Sequence, residues 1–352
     1  MTTMTSCGVS CLTIGLDVGD KKTQLCELRD RTVFVNKTIT TSRAALSAEF
    51  ANRPTSHVVL EVGSQSPWMS ELLRALGHTV RVVDARRVAK MCKGNRKTDQ
   101  RDAESLARLA SGVPEMLGEV SHRPPEAYAD MAVLRARDVL VRTRTRLINC
   151  IRGVLKTVAI RLPSFSAPSF SKKARCLVPT SLQPALSPLL DSLDTLEKQI
   201  RSFDSQIEAI ATARHPVAAK LRQVQGVGSL TSLAFVLTVF DPHRFRKSRT
   251  VGSWVGLAPK KRESGDSNPQ LSITREGNSF LRRLLVNAAQ YILGPFAKNC
   301  ALRQFGLRLC ERGGKNAKKR AVVAVARKLA VLLHRLWVSD QPYDSARGMT
   351  AA

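Results

Sequence analysis

The chain has 352 residues, 43% of them hydrophobic, with 56 Lys and Arg against 28 Asp and Glu and a formal net charge of +28. That length allows two or three domains with buried cores. The charge calls for a polyanion, because each phosphate neutralised by a cation releases condensed counterions, and nucleic acid fits this better than a ribosomal or anionic-membrane surface. No run of about 18 apolar residues is present to span a bilayer, and MTTMTSCGVSCLT lacks the basic-then-apolar pattern of a secretory leader. The expectation is a cytoplasmic, nucleoid-associated prokaryotic protein. The eight cysteines (7, 11, 26, 92, 150, 176, 300 and 310) are scattered without zinc-ligand spacing and read as reduced, packing thiols.

Residues 12–110 alternate short apolar runs with helical patterns. LTIGLDV (12–18) and QLCEL (24–28) predict strands around a turn at Gly19-Asp20-Lys21-Lys22. VFVNKTIT (33–40), HVVLEVG (57–63) and HTVRVVD (78–84) predict three more, with helices over 42–51 and 67–77. Three strands, a helix, then strand–helix–strand is the order of an RNase H-like (RuvC-like) α/β domain, placed at 11–115. Long helices are predicted over 125–162 and 186–212. The second carries a seam at Leu186, Leu189, Leu193, Leu196, Ile200, Phe203, Ile207 and Ile210, and the first carries Val141, Ile148, Ile151, Leu155, Val158 and Leu162. With the Pro/Ser-rich stretch Pro163 to Pro188 between them, they predict an antiparallel coiled-coil arm (125–212) with an irregular tip, or two core helices of a bundle. The seam also suggests a homodimer or homotetramer contact.

The third region, 217–340, is read as mostly helical. LRQVQGVGSLTSLAFVLTV (221–239) predicts helix, Gly-x-Gly hairpin, helix, a helix-hairpin-helix-like element in which Gly226 and Gly228 would expose backbone N–H groups to a DNA phosphate. Residues 282–335 hold thirteen Lys and Arg against one acid, Glu311, and AVVAVARKLAVLLHRLW (321–337) predicts a closing amphipathic helix. Residues 341–352 are expected as a disordered tail.

Four carboxylates stand out by position. Asp17 follows the first apolar run, Glu61 ends the buried run VVLE, and Asp99 and Asp102 share one face at the start of a helix continuing AESLARLA. All-oxygen donors of this kind suit Mg²⁺, which would polarise a phosphoryl oxygen and activate a hydroxyl. Taken singly, each acid has a duller reading: Asp17 a turn residue, Glu61 a surface carboxylate, Asp99 an N-cap with Asp102 in its first turns. The basic residues crowding the pair (Arg86, Arg87, Lys90, Lys93, Arg96, Lys97 and Arg101) favour a phosphate partner, with Lys97 and Arg101 the nearest candidate contacts.

GLDVGDKK, LEVGSQSPW and KTDQRDAESLARL resemble the IS110 family of DEDD transposases, relatives of the Piv DNA invertases. So do LRQVQGVGSLTSLAFVLTVFDPHRF and SWVGLAPKKRESGDSNPQLSITREGNSFLRRLLVNAA. The resemblance covers about residues 12–110 and 217–295. It implies that Asp17, Glu61, Asp99 and Asp102 are the metal ligands and Ser264 the nucleophile of a covalent phosphoserine step in Mg²⁺-dependent DNA recombination. It also implies a non-coding bridge RNA that pairs with donor and target DNA. The chain departs from the family pattern at Gly63-Ser64, where Thr-Gly is usual, and at Arg275, where Lys is usual.

By its own residues, Ser264 lies in a polar segment beside Lys260, Lys261 and Arg262, cations suited to clamping a phosphate; Ser267 and Ser272 are rival hydroxyls. The motif Arg275, Asn278, Arg282 and Arg283 supplies further candidate nucleic-acid contacts. The competing readings are a RuvC-type nuclease using the same acids with water, a non-catalytic nucleic-acid binder, and an actin-like ATPase. The last lacks a second glycine-rich phosphate loop.

Overall fold

A computed structural model describes residues 12–91, 98–262, 264, 267, 269 and 271–345. The chain divides into two compact units, Met1–Pro124 and Pro125–Ala352.

The first unit is built on a five-stranded sheet of β1 (Thr13–Val18), β2 (Lys22–Arg29), β3 (Thr32–Thr40), β4 (His57–Glu61) and β5 (Thr79–Val83), in the order β3-β2-β1-β4-β5. The three N-terminal strands pair antiparallel through tight turns, whereas β4 and β5 run parallel to β1. The parallel strands need crossovers, and helices α1 (Arg43–Phe50) and α2 (Ser66–Ala75) provide them. One sheet face, with Ile14, Leu16, Leu25, Val58, Leu60 and Val82, buries against Leu46, Phe50, Met69 and Leu73 of those helices. The other face receives α4 (Asp99–Gly112), which follows α3 (Ala85–Met91); Ala103 and Ala107 lie on Cys26 and Leu28, and Leu106 on Val59 and Val83. All five predicted strands and both crossover helices form, with ends shifted by two residues or fewer.

The second unit opens with α5 (Pro125–Thr157), then α6 (Phe170–Arg175) and α7 (Gln183–Ala213). The long helices pair antiparallel, as the cross-links Arg137–Asp204 (2.8 Å) and Arg144–Glu197 (2.6 Å) show. Their seam differs from the expected one. Leu186, Leu193, Ile200 and Ile207 are buried as predicted, but the column beside them is Leu190, Glu197, Asp204 and Ala211, two of them acids bound to arginines. Leu189, Leu196, Phe203 and Ile210 are only half-buried. The apolar contact is therefore concentrated at the two ends, and charge pairing joins the middle. Two boundaries also change. Helix α5 stops at Thr157, where Ala159 adopts φ +62° and the Ile160 amide turns back to the Leu155 carbonyl, leaving Val158 exposed and Leu162 outside the helix. At the other end α7 starts at Gln183 and includes Pro188. The tip is irregular as expected, and it is packed: Phe170, Ala174 and Val178 close over Ile151, Leu155, Leu186 and Leu190.

Beyond the arm come α8 (Pro216–Leu221), α9 (Ser229–Val239), α10 (Arg249–Trp254), α11 (Ser279–Leu293), α12 (Ala301–Glu311) and α13 (Ala317–Ser339). Their core of Leu233, Phe235, Leu285, Ala289, Leu329 and Leu333 also takes in Ala127, Met131, Leu134, Ile207 and Ala211 from the base of the arm, so arm and C-terminal helices share one body. The helix expected to begin at Leu221 instead ends there. The amides of Arg222, Gln223 and Val224 bond three residues back, which tightens the chain into turns before the glycines. Residues 341–345 of the expected tail lie against the core: the Tyr343 amide donates to Gln223 Oε1 (3.2 Å) and the Ala301 amide to the Ser345 carbonyl (3.2 Å). The remainder, 346–352, lies outside the described residues. Among the described residues no helix is long and apolar enough to cross a membrane.

Candidate active site

Strand register brings the first two acids together. Leu16 of β1 is paired with Leu60 of parallel β4, and Asp17 and Glu61 each follow by one residue. Neighbouring residues in register project to the same face of adjacent strands, which lie about 4.8 Å apart. Leu16 and Leu60 face α1 and α2, so alternation turns Asp17 and Glu61 to the α4 side. Both are half-buried. The carboxyl ends of parallel strands are where open α/β sheets place their ligands.

Helix α4 carries the second pair of acids in its first turn and points that turn toward the same edge. It lies directly on β1, where Gly15 has no side chain: a Cβ there would stand 2.2 Å from the Ala103 carbonyl oxygen and 2.7 Å from the Ala107 amide. The helix runs opposite to β1, because Arg108 reaches the Arg31 carbonyl in the β2–β3 turn (3.4 Å), beside the start of β1. Its first turn therefore points toward the end of β1 that carries Asp17. Thr98, not Asp99, is the N-cap: its hydroxyl accepts from the Arg101 amide, and Asp99 and Asp102 stand in the first turn. Asp102 is half-buried and Asp99 exposed. Carboxylates at a helix N-terminus are also favoured by the backbone dipole.

The same edge holds polar groups not expected from the sequence. Asp84 follows Val83, the register partner of Glu61, and is half-buried. Asp20, in the β1–β2 turn, accepts from Gln65 Nε2 (3.4 Å), and Gln65 Oε1 accepts from Trp68 Nε1 (2.6 Å). Alternation could not single out Asp84, since it lies beyond the last paired residue; only the parallel order of β4 and β5 puts it there. Gln24, the partner of Asp17 on β2, is buried and accepts from Thr38 while donating to Asn36. Cys26, two residues along, has its thiol pushed up to about 11 by burial and then by Glu104. Among the described residues no three His, Cys, Asp or Glu side chains close into a metal-holding group. The donor chemistry at the edge is nonetheless all carboxylate, the oxygen set that a hard divalent cation prefers. Lys93, Arg96 and Lys97 lie outside the described residues, as do the side chains of Arg86 and Lys90; Arg101 is exposed on α4.

In the second unit, Ser264 sits at the end of a narrow ribbon. The Thr274 amide donates to the Ala258 carbonyl (2.9 Å) and the Lys260 amide to the Ser272 carbonyl (2.9 Å). Farther out, Ser264 and Ser267 exchange backbone bonds of 3.2 and 3.0 Å. Both serines are exposed, as are Ser272, Lys260, Lys261 and Arg262. The base of the ribbon is locked. Gly277 adopts φ +74°, and a Cβ on it would fall 2.1 Å from the Trp254 carbonyl oxygen. Arg282 Nη1 donates to the carbonyls of Val255 (2.9 Å) and Glu276 (2.8 Å), and burial together with nearby Arg275 draws this guanidinium below its ordinary value.

Other expected nucleic-acid contacts have structural partners. Asn278 caps α11 by accepting from the Leu281 amide (3.0 Å), and Arg283 is paired with Asp138 of α5 (2.5 Å). Arg275 is exposed with φ +58°. Gly226 turns at φ +81° against the Ala288 carbonyl, and Gly228 is the N-cap of α9. The first residue of that helix, Ser229, donates its hydroxyl to Glu208 of α7, which also takes Arg222 (2.5 Å). A carboxylate of the protein itself thus stands at the hairpin.

Comparison with known proteins agrees with both motif sets. Residues 14–160 match the DEDD transposases of IS110 elements, and residues 218–301 match the family described as Transposase IS116/IS110/IS902. The chain is 31% identical to a probable family 20 transposase of Pseudomonas aeruginosa over 94% of its own length and 98% of the relative's. It is 28% identical to the transposase for insertion sequence element IS1111A of Coxiella burnetii, over 94% of the chain and 90% of the relative. A pilin gene-inverting protein of Moraxella bovis is 23% identical over 94% and 97%.

Proposed function

Since the chain belongs to the IS110 family of DEDD transposases, we propose that it cleaves and rejoins DNA through a phosphoserine intermediate on Ser264, with Asp17, Glu61, Asp99 and Asp102 as the acidic centre. The observation that carries this reading is the register of β1 and β4, which sets Asp17 beside Glu61 on the face where the first turn of α4 arrives. The sheet order β3-β2-β1-β4-β5 suits an RNase H-like (RuvC-like) domain. The four carboxylates would hold Mg²⁺, which when bound supplies positive charge against the phosphoryl oxygens and eases ionisation of a hydroxyl.

The protein's own groups have distinct tasks. Ser264 Oγ attacks phosphorus; the new bond is serine O–P and the broken one is P–O to deoxyribose. The serine proton leaves for solvent, and the departing deoxyribose oxygen takes one up. Because one phosphoester replaces another, the bond energy is kept for religation to a new strand. The exposed ribbon lets a phosphate reach Ser264, and Lys260, Lys261 and Arg262 attract it. Exchange of strands needs two such nucleophiles, hence a homodimer or homotetramer. A non-coding guide RNA is the proposed source of target choice, with donor and target duplexes as substrates.

The test is denaturing electrophoresis of protein mixed with cognate DNA, guide RNA and Mg²⁺. A covalent protein–DNA adduct is expected for the native chain and none for Ser264→Ala, while Ser267→Ala and Ser272→Ala retain it. Cleavage by Ser264→Ala at the native rate would instead assign the chemistry to water.

A further inference from the structure

Several cations in this protein have an acidic neighbour. On the arm Arg137, Arg144, Arg175 and Arg201 each meet a carboxylate, and in the sheet unit Arg29, Arg53 and Arg108 do. The loop between α9 and α10 is different. Residues 241–249, DPHRFRKSR, hold four Lys and Arg against one acid. That acid, Asp241, is exposed and accepts from the His243 amide (2.8 Å). Arg246, Lys247 and Arg249 are exposed, and no ion pair engages them among the described residues.

Four like charges in so short a loop repel one another, yet the loop is held in one shape. His334 of α13, 1% exposed, bonds both ends of it: one ring nitrogen contacts the Pro242 carbonyl (2.8 Å) and the other the Ser248 hydroxyl (3.0 Å). Between those anchors Phe245 points inward, edge-to-face on both His334 and Trp254, with ring centroids 5.4 Å apart in each case. The Arg244 guanidinium covers the Phe245 and Trp254 rings at 4.9 and 4.6 Å. Apolar and aromatic groups face the core while the remaining cations face out. A surface of this kind is pre-organised, so an anionic partner need not order it on binding.

We propose that residues 243–249 grip the phosphate backbone of duplex DNA, with Arg246, Lys247 and Arg249 making the contacts and the His334–Phe245–Trp254 group fixing their spacing. The loop passes straight into α10, six residues or about 9 Å long at 1.5 Å per residue, whose last residue, Trp254, abuts Gly277 at the base of the Ser264 ribbon. One short helix thus joins the grip to the base of the ribbon that carries Ser264. Contacts limited to phosphate would bind DNA without regard to sequence and would orient it for the serine. The proposal deepens the reading of Ser264 as nucleophile, and the two are tested separately.

The experiment measures affinity for a duplex of arbitrary sequence by fluorescence anisotropy across a salt series, alongside a structured RNA of equal length. The triple variant R246A/K247A/R249A replaces exposed side chains only, and its melting temperature checks the fold. If each cation neutralises one phosphate, the slope of log affinity against log salt becomes shallower by about 2.7, with a loss of more than roughly tenfold at low salt. His334→Gln, which releases the loop but keeps its charges, is expected to weaken binding severalfold with the slope unchanged. Ser264→Ala keeps native affinity and slope, so adduct loss and grip loss are read independently. A triple variant that binds duplex DNA with native slope and affinity overturns the proposal, and so does a loss confined to the RNA.

Discussion

The acids of the first unit and the serine of the second are held in opposite ways. Asp17 and Glu61 stand on central strands whose every neighbour is paired, and α4 is pressed so close to β1 that Gly15 cannot carry a methyl group. Ser264 stands on a ribbon with a few backbone bonds, exposed, and secured at its base by Gly277 and Arg282. Charge groups meant to act together against an anion need fixed separations, and a sheet with a docked helix provides them. The proposed nucleophile, to reach a polymer, needs exposure, and it borrows rigidity from the helices behind it.

The largest effect is expected at the rigid edge. Asp17→Asn or Glu61→Gln should cut DNA cleavage by more than about a hundredfold with little change in melting temperature; a gel assay on labelled duplex checks both. Near-native cleavage by either variant would show that the ordered edge is not the reactive one. Next come the two close approaches. Gly15→Ala and Gly277→Ala should each cost about 1–3 kcal/mol from overpacking, the first in the sheet unit and the second in the helical unit. Urea denaturation followed by hydrogen exchange would assign each loss to its unit. Arg282→Lys should be milder: with two carbonyl bonds weakened, about 1 kcal/mol is lost, and adduct formation on Ser264 falls severalfold while DNA affinity holds.

Smaller effects sharpen the same contrast. The Ser229 hydroxyl, and then Arg222, hold the Glu208 carboxyl below its ordinary value. A depressed carboxyl stabilises the fold above its unfolded value, about 4.3, and that contribution fades as pH falls through the depressed folded value. Amide exchange in the first turn of α9 should therefore quicken below about pH 4, and Glu208→Gln should abolish this dependence. Thiol labelling at pH 8 should modify Cys150 and Cys176 promptly and spare buried Cys26, whose value of about 11 keeps it protonated.

Much of the first unit was legible because its strands alternate or run apolar over lengths that only a sheet accommodates. Asp17 and Glu61 were visible for the same reason, each ending an apolar run. The arm was legible as two long helices but not in its detail. A three–four repeat names the apolar column at Leu186, Leu193, Ile200 and Ile207, yet which side faces α5 was decided by Arg137 and Arg144 meeting Asp204 and Glu197 across it. The tip is irregular as expected, broken into short helical pieces, but its Pro and Ser content gives no hint of the burial of Phe170 and Val178.

Local chemistry along the chain determined the element types and the strand and helix positions within a few residues, and it named four candidate acids and, by family resemblance, Ser264 as the candidate nucleophile. Only tertiary structure decided that Asp84 joins the acidic edge, that Gly15 rather than any polar residue sets the reach of α4, that Arg282 braces carbonyls, and that one histidine closes both ends of a basic loop. The physical reason is separation. Patterning along a chain records which face of an element is apolar, whereas contacts such as His334 with Pro242 and Ser248 join residues some ninety positions apart and leave no periodic trace.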